Sequence, residues 1–283
     1  MRAVMVVLFL WSSGIAVAEP KWIKAAELAS TAIEALAAAT PDTAQTGAGV
    51  RIAWSEGTKD LDLARKELVA AFGNARLTIV DAGDSTGDIA MTVEDARGAR
   101  AIVRLGTERG SIVVVARPSR VNPPGACVVP PAPVWRATVH AGGIDQRGEY
   151  HQSSITWRLT TSRLHDVDGD AVLDAFVPRY GKGDCPQDGL WEVYVMRGAC
   201  GHWIGKVGPG WLTDDTVTVA VDPSGFRPLV FARDRATEGK GLVPEITTTT
   251  TTYRFGAKAY RKVKAVSRTD RCHHCAVWYC TTP

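Results

Sequence analysis

Asp166-Val167-Asp168-Gly169-Asp170-Ala171-Val172-Leu173-Asp174 places a carboxylate at the first, third, fifth and ninth positions of one short segment. A loop that winds around a hard cation turns alternate side chains inward, and Ca²⁺ takes six to eight oxygens at about 2.3–2.6 Å. Position seven, Val172, can add its backbone carbonyl. Four carboxylates this close repel one another strongly unless a cation sits among them. The expected site is therefore Asp166, Asp168, Asp170 and Asp174 with Val172, and the expected ion is Ca²⁺. An EF-hand does not fit, because its twelfth position falls on Val177 instead of a bidentate glutamate and Pro178 opposes a following helix.

Outward from this loop the sequence alternates. Ile155, Trp157 and Leu159 share one face of a strand, as do Trp191, Val193 and Val195, and Val217, Val219 and Val221. Glycine and proline punctuate this half, and no helical period recurs in it. Thr247 to Thr252 is an unbroken threonine run, read as a β-branched strand with hydroxyls on its exposed side. The strand at 155–159, the acidic loop, Ala175-Phe176-Val177 and Glu192-Val193-Tyr194-Val195 together resemble a single FG-GAP or VCBS-type repeat, the calcium-loop module of integrin-α-like propellers. The resemblance covers roughly residues 153 to 197 and implies that the four aspartates hold Ca²⁺ in a β-hairpin. The chain departs from that pattern at position six, where Ala171 stands in place of glycine. That place needs a left-handed backbone, which costs alanine about 1 kcal/mol. One copy is present, so a full propeller is not expected.

Towards the N-terminus the period changes. Trp22 to Ala39 predicts a helix, with Ile23, Ala26, Ala29, Ile33 and Leu36 at three- and four-residue intervals and Pro41 as its stop. A second helix carries Leu61, Ala64, Leu68 and Phe72 on one face, with Thr58 as its expected cap and Gly73 at its end. Residues 50–54, 77–80, 89–93, 101–105 and 112–116 read as strands. This β-α-β-β-β-β order predicts a small sheet with a helix packed on it. At fold level it resembles the small α/β domains that precede larger modules in exported bacterial proteins, such as the N-terminal domain of the TolB family. Between Arg117 and Val134 lie six prolines, a density that prevents helix and central strand alike.

Residues 1–18 have the grammar of a secretory signal peptide: Arg2, an uncharged apolar run from Ala3 to Trp11, and the small-x-small site Ala16-Val17-Ala18 before Glu19. A secreted or periplasmic location follows, with no transmembrane span elsewhere. All six cysteines (Cys127, Cys185, Cys200, Cys272, Cys275 and Cys280) lie beyond it, and an even count in an exported chain reads as disulfides. Cys185 and Cys200 flank a loop and one strand, which favours that pair and leaves Cys127 for a terminal cysteine.

With 33 basic and 30 acidic residues, the 283-residue chain lacks the concentrated positive field of a nucleic-acid binder. One local excess stands out: Arg254 to Arg271 carries seven basic residues against Asp270. That stretch suits a strand with a charged outer face, or contact with anionic envelope polymers. Gly83-Asp84-Ser85-Thr86-Gly87 has the form of a serine nucleophile elbow, but the alternation of Asp88 to Val93 points to a hairpin instead. Cys272-His273-His274-Cys275 has the ingredients of a zinc or redox site without a second matching knuckle.

The fold expected is α+β: a signal peptide (1–18), a small α/β domain (19–117), a proline-rich linker (118–134) and a disulfide-linked all-β domain bearing the calcium loop (135–283). The function expected is non-catalytic binding or scaffolding at the cell envelope or exterior, towards a protein or an envelope polymer. The competing functions are an exported hydrolase and a C-terminal Cys/His zinc or redox module.

Overall fold

The computed structural model describes residues 16–17, 23–39, 50–54, 57–85, 88–116, 118–119, 121–144, 150–181, 185, 188–213, 221–238, 244–271 and 277–281. The fold is mostly β, with 51% of the chain in strands and two helices among the described residues. In order, the first elements are β1 (Ala16–Val17), α1 (Ala25–Ala38), β2 (Val50–Trp54), α2 (Leu61–Asn74), β3 (Thr78–Ser85), β4 (Asp88–Glu94), β5 (Arg100–Gly106) and β6 (Gly110–Val115). They form one six-stranded sheet in the order β1-β2-β6-β5-β4-β3, in which β1 runs parallel to β2 and the remaining neighbours are antiparallel. Apart from Ala16 and Val17, the expected signal peptide lies outside the described residues.

The apolar stripe of α1 (Leu28, Ala29, Ala32, Leu36) and that of α2 (Ala64, Leu68, Phe72) pack on one face of this sheet, over Met91, Val93, Val103, Leu105 and Ile112. The second helix starts differently from expectation. Asp60 caps it, its Oδ1 accepting the Leu63 N–H at 2.9 Å, while the Thr58 N–H bonds the Gly106 carbonyl at 2.9 Å. An aspartate carboxylate satisfies an orphan helix N–H and meets the positive end of the helix dipole, so it is the stronger cap here. The helix also runs past Gly73 to Asn74. Its end is closed by the exposed Arg76 at φ 59°, with the Leu77 N–H bonding the Phe72 carbonyl.

The centre of the sheet is buried on both faces. Five or more consecutive residues in each of β4, β5 and β6 are buried, including adjacent residues that must point opposite ways. The face away from the helices presents Ala90, Ile102, Val113 and Val115, which pack with Leu164, Ala171 and Leu173. The acidic loop itself thus supplies the apolar cover for that face.

The remaining elements are β7 (Cys127–Val128), β8 (Trp135–Ile144), β9 (Tyr150–Leu159), β10 (Ser162–His165), β11 (Asp174–Arg179), β12 (Leu190–Arg197), β13 (Cys200–Val207), β14 (Trp211–Leu212), β15 (Leu229–Glu238), β16 (Pro244–Phe255), β17 (Tyr260–Arg271) and β18 (Val277–Thr281). By its contacts the chain divides into two compact units. The first joins residues 1–122 to 163–174 and 217–227; the second holds 123–162, 175–216 and 228–283. The division expected from the sequence placed the whole of 135–283 together, whereas contacts group the acidic loop with the N-terminal sheet.

In the second unit β11, β12, β13 and β7 lie side by side in antiparallel order, as do β14-β15-β16-β17 and β18-β8-β9. The threonine run lies in β16, between β15 and β17. Thr247 and Thr249 share hydroxyl hydrogen bonds of 2.9 Å with Thr269 and Ser267, and the Thr248 hydroxyl donates to Asp234 at 2.7 Å. Trp135 stacks on Tyr180 at 4.3 Å, and Tyr180 meets Trp191 edge-on at 6.2 Å. The expected strand at 217–221 falls outside the described residues, save Val221.

The disulfide expectation is corrected. Cys200 bonds Cys127, not Cys185. The reason lies in sheet order: β7 is the neighbour of β13, with His202 opposite Cys127, so a strand 73 residues away in sequence comes within 5.3 Å of Cys200 between Cα atoms. Cys185 is also disulfide-bonded, and the described residues contain no free cysteine. The proline-rich segment is therefore tied down at Cys127.

Arg76 occupies a left-handed position that glycine adopts without strain. Arg76→Gly is expected to raise stability by about 1 kcal/mol, read as an upward shift of the urea unfolding midpoint with unchanged slope.

Candidate metal centre

The loop between β10 and β11 folds as a tight curl held by its own carboxylates. Asp166 Oδ1 accepts the Gly169 N–H at 2.7 Å, and its Oδ2 accepts the Ala171 N–H at 3.1 Å. Asp174 Oδ2 accepts the Val167 N–H at 2.7 Å, joining the loop's two ends. Gly169 at φ 75° and Ala171 at φ 60° make the left-handed turns this path requires. Ala171 is thus left-handed, and its methyl group is fully buried.

Within this curl Asp166, Asp168 and Asp174 converge. One carboxylate oxygen from each lies within 4.8 Å of the others, and all three residues are 2% exposed or less. Ligands on opposite sides of a Ca²⁺ ion are about 4.6–5.2 Å apart, so three oxygens at this separation can touch one ion together. The donor set is hard oxygen, suited to Ca²⁺ or Mg²⁺ and not to a soft metal. Asp170 is buried beside the group but does not join it: its Oδ1 accepts the Val172 N–H at 2.7 Å. The structure therefore brings together three of the five residues expected, with Asp170 adjacent and the Val172 carbonyl unassigned.

Five residues outside the loop hold it, and the sequence pattern marks none of them. Arg227, 1% exposed, donates from Nη2 to Asp166 Oδ2 at 3.2 Å and from Nε to the Asp166 carbonyl at 3.1 Å. Asp81 of β3 accepts the Leu173 N–H at 2.8 Å and pairs with Arg163 at 2.9 Å. Arg163 also donates to the Leu173 carbonyl at 2.8 Å, and Arg100 of β5 donates to the Asp170 carbonyl at 2.6 Å. The Ser119 N–H reaches the Gly169 carbonyl, and the Arg227 N–H reaches that of Val167, each at 2.7 Å. No local pattern marks these partners, since Arg227 and Asp81 lie 61 and 92 residues from the atoms they bind.

Charge dominates the energetics. Burial first, then the charges of Asp168, Asp170 and Asp166, push the Asp174 carboxyl well above its ordinary 3.8, against a lowering by the Val167 N–H. The buried Arg227 pairs with Asp166 of this group. A divalent ion at the convergence point would remove most of the remaining repulsion.

Other candidate sites do not assemble in the same way. Ser85 ends β3 opposite Asp88 of the antiparallel β4, so the glycine-flanked serine sits at a hairpin and not on a strand-to-helix elbow. His202 contacts Cys200 Sγ and the Gly125 carbonyl, and His165 lies at the end of β10. Residues 272–276 lie outside the described residues, and Cys280 is in β18. No helix among the described residues is long and apolar enough to cross a membrane. No family model matches the chain, and neither curated proteins nor solved structures contain a match to it.

Two outcomes are expected. Arg227→Met leaves Asp166 buried without its cation and lowers stability by about 3–5 kcal/mol; the double variant Asp166→Asn/Arg227→Met recovers part of that loss, read by urea unfolding. The second concerns pH without metal. The folded state holds the Asp174 proton more tightly than the unfolded chain, so the contribution of this group is full below about 3.8 and is lost as pH rises through the folded pKa. In chelator the parent therefore loses more stability between pH 4.5 and 7.5 than Asp174→Asn does, by denaturant midpoints at both pH values.

Proposed function

We propose that this chain is an exported, non-catalytic binding or scaffolding protein of the cell envelope or exterior, stabilised by one Ca²⁺ held by Asp166, Asp168 and Asp174 with help from Asp170. The observation that carries this reading is the convergence of three buried carboxylates within 4.8 Å, in a loop whose backbone takes the left-handed turns of a cation-binding curl. The resemblance of residues 153–197 to an FG-GAP-type calcium loop points the same way, and the glycine of that pattern corresponds to the left-handed Ala171. Export is supported by the signal-like sequence of residues 1–18 and by the Cys127–Cys200 disulfide.

The ion's task in this reading is structural. It neutralises the carboxylates, which lets Ala171 and Leu173 remain buried with Ile102 and Val113 on the sheet. Metal binding then couples directly to folding, since the unfolded chain offers no preformed site. Calcium concentrations outside the cell would keep such a site filled, and removal of calcium would loosen the loop and the sheet face beneath it.

The test is a thermal melt of the oxidised protein from Glu19 onward in millimolar Ca²⁺ and in EDTA, beside Asp168→Asn. At a calcium concentration a hundredfold above Kd the ion adds about 2.7 kcal/mol, a Tm shift of several degrees. Asp168→Asn is expected to abolish that shift and to melt higher than the parent in EDTA, because one repelling charge is gone. Coincident parent curves in Ca²⁺ and EDTA would refute the calcium reading.

A further inference from the structure

Among the described residues, the long strand β17 ends its sheet. In the order β14-β15-β16-β17 it is paired to β16 on one side, and residues 261–270 are exposed along their whole length. A free strand edge is a template for another strand unless something blunts it. Here no proline interrupts it, and Val263 and Val266 are 55% and 51% exposed. Around them the strand is basic, with Arg261, Lys262, Lys264 and Arg268, the last paired with Asp270 at 3.0 Å, and the exposed Arg254 of β16 lies opposite Arg261.

The register spreads this charge over both faces. Lys264 pairs with Thr252 and Lys262 with Tyr253, across a bulge that leaves Val263 as the extra residue. Arg261, Lys264 and Arg268 therefore share one face with Arg254, and Lys262 lies on the other. A second copy of this strand paired in register would set these cations against their equivalents, which disfavours self-pairing. An extended chain rich in Asp or Glu meets the opposite condition, gaining ion pairs on both faces and main-chain hydrogen bonds along the edge.

We propose that β17 is a docking edge that takes an acidic, extended segment of another protein as an added strand. This supplies the partner class for the binding role proposed above and rests on that reading. An anionic polymer would need the charges but not the hydrogen-bonding edge, and this difference separates the two.

The full oxidised protein is titrated against a fluorescein-labelled peptide of alternating glutamate and valine, by anisotropy. The same peptide with N-methyl groups on alternate amides, and inorganic polyphosphate, serve as the comparison probes. Saturable binding of the first peptide is expected, with at least tenfold weaker binding of the N-methylated form and slowed amide exchange within 261–270. Lys264→Glu/Arg268→Glu, both exposed positions, is expected to weaken binding at least tenfold without altering the melt. Absence of binding, or equal binding of both peptides, overturns the proposal; in the latter case polyphosphate competing equally identifies a general polyanion surface. The calcium melt is read separately on the same preparation, so a failed metal site and a failed docking edge give different results.

Discussion

Four aspartates in nine residues are buried together, and the buried Arg227 pairs with Asp166 and neutralises part of their charge. Everything else about the first unit is conditioned by this. Buried carboxylates are tolerated only when paired, hydrogen-bonded or bound to a cation. The loop uses the first two devices in part, through backbone N–H groups and Arg227, while the buried Asp168 Oδ1 accepts no hydrogen bond among the described residues, and its geometry is suited to the third. Its apolar residues point the other way, onto the open face of the six-stranded sheet. The polar and apolar halves of the loop are thus inseparable: Ala171 and Leu173 cover the sheet only while the aspartates behind them stay folded inward.

The consequence is a unit assembled from three separate stretches of chain. Arg100 and Asp81 reach the loop from the sheet, Ser119 from the segment after β6, and Arg227 from beyond 217. Each contact binds the loop backbone or Asp166, so the loop acts as the common fastening for segments that the sequence scatters. Such non-local closure is entropically costly to form. A bound ion would add its stabilisation at the point where the three stretches meet. The second unit relies on different means: long antiparallel strands, a ladder of threonine hydroxyls, stacked aromatics and the Cys127–Cys200 bond.

Much of this was legible in local pattern. The helical stripes of α1 and α2 and the strands β2, β4, β5 and β6 follow from periodicity, because a residue's burial there is set by its own element. The acidic loop follows from the spacing of its carboxylates. What local pattern does not reveal is which surface an element covers. The unbroken apolar runs Ile102-Val103 and Ile112-Val113-Val114-Val115 are a sign that the sheet is buried on both sides, but they do not identify the cover. Asp81, Arg163 and Arg227 look like ordinary surface charges in sequence, and only tertiary proximity gives them their roles. The partner of Cys200 is not legible for the same reason, since sheet order and not sequence distance sets it.

The most direct measurement is backbone amide exchange at Val167, Gly169 and Ala171, whose N–H groups bind the Asp174 and Asp166 carboxylates. It is followed in Ca²⁺ and in chelator at constant pH. The account predicts that calcium slows exchange at all three amides at least tenfold and extends protection to Ile102 and Val113 beneath the loop. Identical exchange in the two conditions would contradict it, and would mean that Arg227 and the backbone alone hold the carboxylates in place.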